Sequence, residues 1–83
     1  MKQTVPSDIE VIDLVLKGHQ QKYELLVHKY QTFAFTIALR YTKNREDAEE
    51  LAQSAFVKAY LNLRDYRGDA KFSTWLYTIV SSL

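Results

Sequence analysis

Between Asn44 and Leu63 the apolar residues Ala48, Leu51, Ala52, Ala55, Phe56, Ala59, Tyr60 and Leu63 return every three or four positions. That spacing lines one side of an α-helix but would scatter the same residues over both faces of a strand, so it commits the segment to helix. Four of the inward positions are alanine, which lets a neighbouring helix come close. Asn44 is placed to cap the start, with Asp47 at the reciprocal position and further acids in the first turn.

The rest of the chain has to pack against this helix, and its patterns are also helical. Ser7 and Glu10 form a capping-box signature ahead of a stripe through Ile9, Ile12, Val15 and Leu16, and Gly18 is placed to end it. Tyr23, Leu26, Tyr30, Phe33, Ile37 and Tyr41 continue at steps of three or four, widened by Val27, Ala34 and Ala38. After a polar, glycine-containing loop from Arg64 to Lys71, the apolar residues Trp75, Leu76, Ile79, Val80 and Leu83 predict a last helix capped by Asp69 or Ser73. The expected helices cover about 7–17, 21–41, 45–63 and 72–83. With 83 residues, only two glycines and one proline, this predicts a single all-α domain, a compact bundle of three to four helices. No stop signal precedes Leu83, which suggests a piece cut in or at the end of the fourth helix.

Several function classes fall away. There is no cysteine, so disulfides and thiolate metal sites are excluded, and His19 and His28 have no ligand-spaced partner and read as exposed helix residues. No nucleophile–base pair or phosphate-binding glycine loop is visible, so neither an enzyme nor a cofactor is expected. No apolar signal core or membrane-length run occurs, which points to a cytosolic protein. The net charge of +1 does not mark a nucleic-acid binder, and no helix offers a basic face for the major groove.

Two surfaces stand out locally. On the third helix Glu46, Glu50, Gln53, Val57 and Leu61 lie opposite the apolar stripe, flanked by Asp47 and Ser54. An acidic rim around exposed aliphatics resembles a partner-binding patch, although acids in a first turn also stabilise the helix dipole unaided. Further on, Tyr60, Tyr66, Phe72, Trp75 and Tyr77 interleave with Arg64, Arg67 and Lys71. Exposed aromatics stack on unpaired bases while cations follow phosphates. Helical spacing assigns Tyr60, Phe72 and Trp75 to the core equally well, and Trp75 and Leu76 cannot both point fully inward. Tyr66, in the polar loop without a periodic partner, is the exception.

Together these segments resemble region 2 of the extracytoplasmic-function (ECF) sigma factors. Tyr23-Glu24-Leu25-Leu26-Val27-His28-Lys29-Tyr30 is similar to the family's F-x-x-L-x-x-x-Y helix. The run from Asp47 to Tyr60 (DAEELAQSAFVKAY) is close to D-A-E-D-L-x-Q-E-x-F-x-x-A-[WY], and that from Tyr66 to Tyr77 (YRGDAKFSTWLY) matches F-x-x-x-x-x-F-x-x-W-L-[YF]. The resemblance implies a transcription-initiation domain that binds the clamp helices of the largest subunit of core RNA polymerase and opens the promoter −10 element. It places Asp47, Glu50, Gln53 and Val57 at the polymerase, with Ser54 on the same face where relatives usually carry Glu. It makes Tyr66, Arg67, Lys71, Phe72, Ser73 and Trp75 candidates for the single-stranded −10 non-template strand, with Tyr66 lining a base pocket. Ser82 stands where relatives often place Asn, and Thr78 where an Arg is common. An anti-sigma factor is a further partner that the resemblance admits. Nothing in the chain corresponds to the family's helix-turn-helix domain for the −35 element. The alternative that the residues leave open is a helical protein–protein adaptor without DNA binding.

Overall fold

A computed structural model describes residues 6–83. Among these described residues there are four α-helices: α1 (Asp8–Leu16), α2 (Tyr23–Thr42), α3 (Arg45–Leu61) and α4 (Phe72–Ser82). Short 3-10 turns at Gln20–Lys22 and Leu63–Asp65 lead into α2 and follow α3. The sequence had extended α2 and α3 over these turns; there the chain tightens to i→i+3 bonding as it changes direction.

The punctuation is local. At the start of α1 the Ser7 hydroxyl accepts from the Glu10 amide at 3.2 Å, and the Ser7 amide donates to Glu10 Oε1 at 2.9 Å. The Ser7 amide bonding the ionised carboxylate, with the Ser7 hydroxyl adding to it, holds the Glu10 carboxyl below its ordinary value. Gly18, at φ 114°, ends the helix: its amide donates to the Val15 carbonyl and the His19 amide to the Leu14 carbonyl, the paired bonds of a Schellman motif. Asn44 caps α3, accepting from the Asp47 amide at 2.9 Å and donating to Asp47 Oδ2 at 2.8 Å.

α2 and α3 form an antiparallel pair that makes the most extensive contact in the domain, and α4 packs on both. Ala34, Ala38, Ala48, Ala55 and Ala59 are fully buried, so this pair meets through small side chains. The largest fully buried side chains, Leu26, Leu63 and, on α4, Phe72, Leu76 and Val80, share one core cluster. Tyr23 ties α2 to α3 by donating its hydroxyl to the Phe56 carbonyl at 2.6 Å, its ring 5.1 Å from that of Tyr60, and burial pushes its phenol pKa well up. Of the two neighbours that cannot both point fully inward, Leu76 does and Trp75 does not.

Two apolar stripes turn differently from the expected ones. On α1 the buried residues are Val11, Ile12 and Val15, whereas Ile9 and Leu16 are exposed. On α2 Leu26 and Ile37 are buried with the two alanines, while Phe33 and Tyr41 emerge at the surface. The alanine face makes the closest helix contact, and this rotates the aromatics at its flank outward.

The α2–α3 turn carries a cost. Lys43 adopts the left-handed conformation (φ 64°, ψ 9°) so that its amide can reach the Leu39 carbonyl at 2.9 Å. A side chain disfavours that conformation by roughly 1–2 kcal/mol, partly offset by the freedom glycine would add to the unfolded chain. Lys43→Gly is expected to stabilise the domain by about 0.5–1 kcal/mol, raising the midpoint of a circular-dichroism melt by roughly 2–8 °C.

Candidate functional site

The loop from Tyr66 to Lys71 is organised by one aromatic ring. Phe72, the first residue of α4, is 2% exposed and packs its ring 5.3 Å from Tyr30 of α2, 5.8 Å from Tyr66 and 5.8 Å from Trp75. Tyr66 stands edge-on to Phe72 (81°) and lies 5.3 Å from Trp75, and its hydroxyl donates to the Ala70 carbonyl, closing the loop on itself. Burial, with the Asp8 and Asp69 carboxylates adding to it, raises the Tyr66 phenol pKa. Gly68 takes φ 82° at the tip, a conformation that suits a residue without Cβ.

A hollow of about 230 Å³ opens between the loop, Asp65–Ala70, and the Thr74, Trp75 and Thr78 side of α4. Tyr66 and Trp75 supply aromatic lining, and Arg67 is exposed at its edge. Lys71 occupies the N-cap position of α4 without a side-chain cap bond, so neither Asp69 nor Ser73 caps the helix as the sequence had suggested. The positive end of the helix dipole is thus left to solvent beside the loop cations.

The DNA-side candidates divide accordingly. Tyr66, Arg67 and Trp75 line the hollow, Lys71 is exposed just beyond it, and Ser73 is half-buried on the other side of the loop. Phe72 is a correction: the core takes its whole ring, so it supports the other aromatics and has no surface to offer a base. Tyr66 lines the hollow while half-buried against Phe72 and Trp75, partners that its place in the polar loop did not reveal. Ser82 is exposed, about 10 Å farther along α4 than Trp75, and bonds the Ile79 carbonyl of its own helix. Spacings of four, three and four put Lys71, Trp75, Thr78 and Ser82 along one stripe. Thr74 and Thr78 were not named as site residues. The i+3 step from Trp75 could have revealed Thr78, but no local signal showed that the loop folds back on this side of α4.

On α3, Asp47, Glu50, Gln53, Ser54 and Val57 are all exposed and fall within about 120° of the helix circumference. Val57 (58%) and Leu61 (73%) are the most exposed large apolar residues of α3. At Gln53 this face meets a groove of about 380 Å³ between α2 and α3, lined by Val27, Phe35, Ala52 and Phe56. Arg45 closes one side, with Nε 3.3 Å from Glu49 and its guanidinium over the Phe35 ring. The Asp47 carboxylate is shared between this face and the helix cap.

Among the described residues no cluster of His, Asp and Glu could hold a metal, and no helix is long and apolar enough to cross a membrane. An apolar-centred acidic face and an aromatic hollow rimmed by cations are features suited to binding. The match goes further: the family described as Sigma-70 region 2 covers residues 26–83, and this chain belongs to it. It is 38% identical over 76 residues to the RNA polymerase sigma-H factor of Pseudomonas aeruginosa. It is 40% identical over 73 residues to the ECF RNA polymerase sigma-E factor of Escherichia coli. Those alignments cover 92% and 88% of this chain but 39% and 38% of the relatives, so the chain spans about two fifths of their length. Its fold is that of an engineered region 2 of sigmaE solved by NMR in complex with GTAAAA, with TM-score 0.87 and 35% identity, covering 99% of this chain and 84% of that one.

Burial separates support from surface in this site, and truncation tests the division. Phe72→Ala is expected to cost about 3–5 kcal/mol, enough to lower the melting midpoint by more than 10 °C in a domain this small, whereas Arg67→Ala stays within about 0.5 kcal/mol of wild type.

Proposed function

We propose that the domain docks on core RNA polymerase through the exposed face of α3 and, once docked, captures unpaired bases of the promoter −10 element at the loop and α4. The observation that carries this reading is the hollow bounded by Tyr66 and Trp75, with Arg67 at its edge and Lys71 at the uncapped start of α4. An aromatic wall stacks on a base with about 1–3 kcal/mol of gain, and the neighbouring cations meet the phosphates on either side. The relatives named as ECF RNA polymerase sigma factors and the GTAAAA-bound neighbour support it.

The partner on α3 is the clamp-helix coiled coil of the largest polymerase subunit, received by Asp47, Glu50, Gln53, Ser54 and Val57. The DNA partner is the single-stranded non-template strand, received by Tyr66, Arg67, Lys71, Ser73 and Trp75, with Ser82 reading farther along α4. The work is an exchange of binding energies: docking places the loop at the duplex, and stacking offsets the cost of unpairing. An anti-sigma factor would regulate the domain by covering either surface. Such a domain acts in the bacterial cytoplasm, where polymerase and promoter are.

Glu50→Lys and Gln53→Ala are each expected to weaken capture of the isolated clamp coiled coil about fivefold or more, with circular dichroism unchanged. Equal capture by both variants removes the docking face. In the full-length factor, Tyr66→Ala is expected to reduce permanganate reactivity at the −10 element by about 5- to 100-fold while polymerase binding is retained, and wild-type reactivity refutes the base-capture role.

A further inference from the structure

α1 lies far from the loop in sequence and touches it in space. The Ile9 Cδ1 atom is 3.5 Å from where a Cβ would stand on Gly68, and α1 also packs against the Leu63–Asp65 turn. One residue earlier, Asp8 reaches α2 with both carboxylate oxygens: Oδ1 accepts from Lys29 Nζ at 2.9 Å, and Oδ2 accepts from the Tyr30 hydroxyl. The Asp8 side chain is 19% exposed although Lys29 is 54% exposed, so the carboxylate is the sheltered partner, whereas the acids of the other ion pairs among the described residues are more than half exposed. Tyr30 is also the residue whose ring packs on Phe72, and Phe72 in turn supports Tyr66 and Trp75.

We propose that Asp8 is a positioning residue for the base-capturing wall: by fixing the Tyr30 ring from its hydroxyl end it sets Phe72, and through Phe72 the relative placement of Tyr66 and Trp75. The functional consequence rests on the reading that this wall receives unpaired DNA. The sequence pattern gave Asp8 no task beyond the first turn of α1. Its electrostatic reach agrees with the geometry, since the Asp8 carboxylate contributes to the raised phenol pKa values of Tyr30 and Tyr66, second to burial in both. Two discrete contacts, Ile9 on Gly68 and Asp8 on Tyr30, therefore hold opposite ends of the same loop-and-ring assembly.

Trp75 is the only tryptophan of the chain, so its fluorescence reports on the wall without any DNA. Tyr30→Phe keeps the ring on Phe72 and removes only the bond to Asp8; Asp8→Ala removes the bond from the other side. Both are expected to raise acrylamide quenching of Trp75 about twofold with helicity unchanged, and the double variant no further than either alone. Asp8→Asn, which retains an acceptor for Tyr30, is expected to stay near wild type. Asp13→Ala breaks the exposed Asp13–Lys17 pair of the same helix and serves as the control. Quenching in Tyr30→Phe and Asp8→Ala equal to that control overturns the proposal, as does a response confined to Asp8→Ala, which would mark a merely structural loss of α1. Titration of the full chain with the single-stranded hexamer GTAAAA is expected to show affinity about threefold or more weaker in both variants. No hexamer binding by wild type would count against the DNA reading, while the quenching comparison would still decide the role of Asp8.

Discussion

The placement of Phe72 in the core governs the end of the molecule that carries the candidate site. A ring 2% exposed at the first position of a helix pins that helix start, and with it the end of the preceding loop. Because Tyr30, Tyr66 and Trp75 all pack on this ring, one buried side chain connects α2, the loop and α4. Full burial of an aromatic ring is worth more than the loop could gain from its own hydrogen bonds, which are largely exposed. The loop is therefore held by the core beneath it, and the hollow above it is rigid on the sides that Tyr66 and Trp75 form.

The other surface gets its rigidity differently. The face from Asp47 to Val57 belongs to a single regular helix, so its side chains are fixed in relation to one another by backbone geometry alone. What positions that helix is the alanine contact with α2 behind it, and the Asn44 cap that holds its first turn. A surface on one helix face tolerates change at individual side chains, whereas a wall assembled from three elements depends on each contact in the chain of rings. The two surfaces thus differ in how a distant substitution reaches them.

This difference also explains how much was legible in the sequence. The α3 face could be read directly because helical periodicity assigns inside and outside once the apolar residues are known, and all five residues named for it are exposed. The caps at Ser7 and Asn44 and the stop at Gly18 were equally plain, being set by residues three to five positions apart. Periodicity failed where the partner decides. Ile9 and Leu16 fit the α1 stripe as well as Val11 does, and only the angle at which α1 meets α2 and the Leu63–Asp65 turn selects among them. Tyr66 looked unpartnered because its partners, Phe72 and Trp75, follow a loop whose fold-back no local rule specifies. The same blindness hid Asp8, whose role depends on a residue 22 positions away.

The charge distribution gives the proposed docking face on α3 a physical reason. α4 carries no charged residue between Phe72 and Ser82, and the loop cations Arg67 and Lys71 are accompanied by Asp65 and Asp69. Three hydroxyls on α4 donate to carbonyls of their own helix, at Thr78, Ser81 and Ser82, so they face outward chiefly as acceptors. Electrostatic attraction to a phosphate backbone grows with the number of phosphates neutralised, and few cations are available here. The loop and α4, on the proposed reading, are therefore better suited to recognising bases already brought within reach than to finding a duplex in solution. On the proposed reading, the acidic face of α3 supplies what α4 lacks: it delivers the aromatic wall to the promoter by binding another protein, and stacking is left to discriminate between paired and unpaired bases.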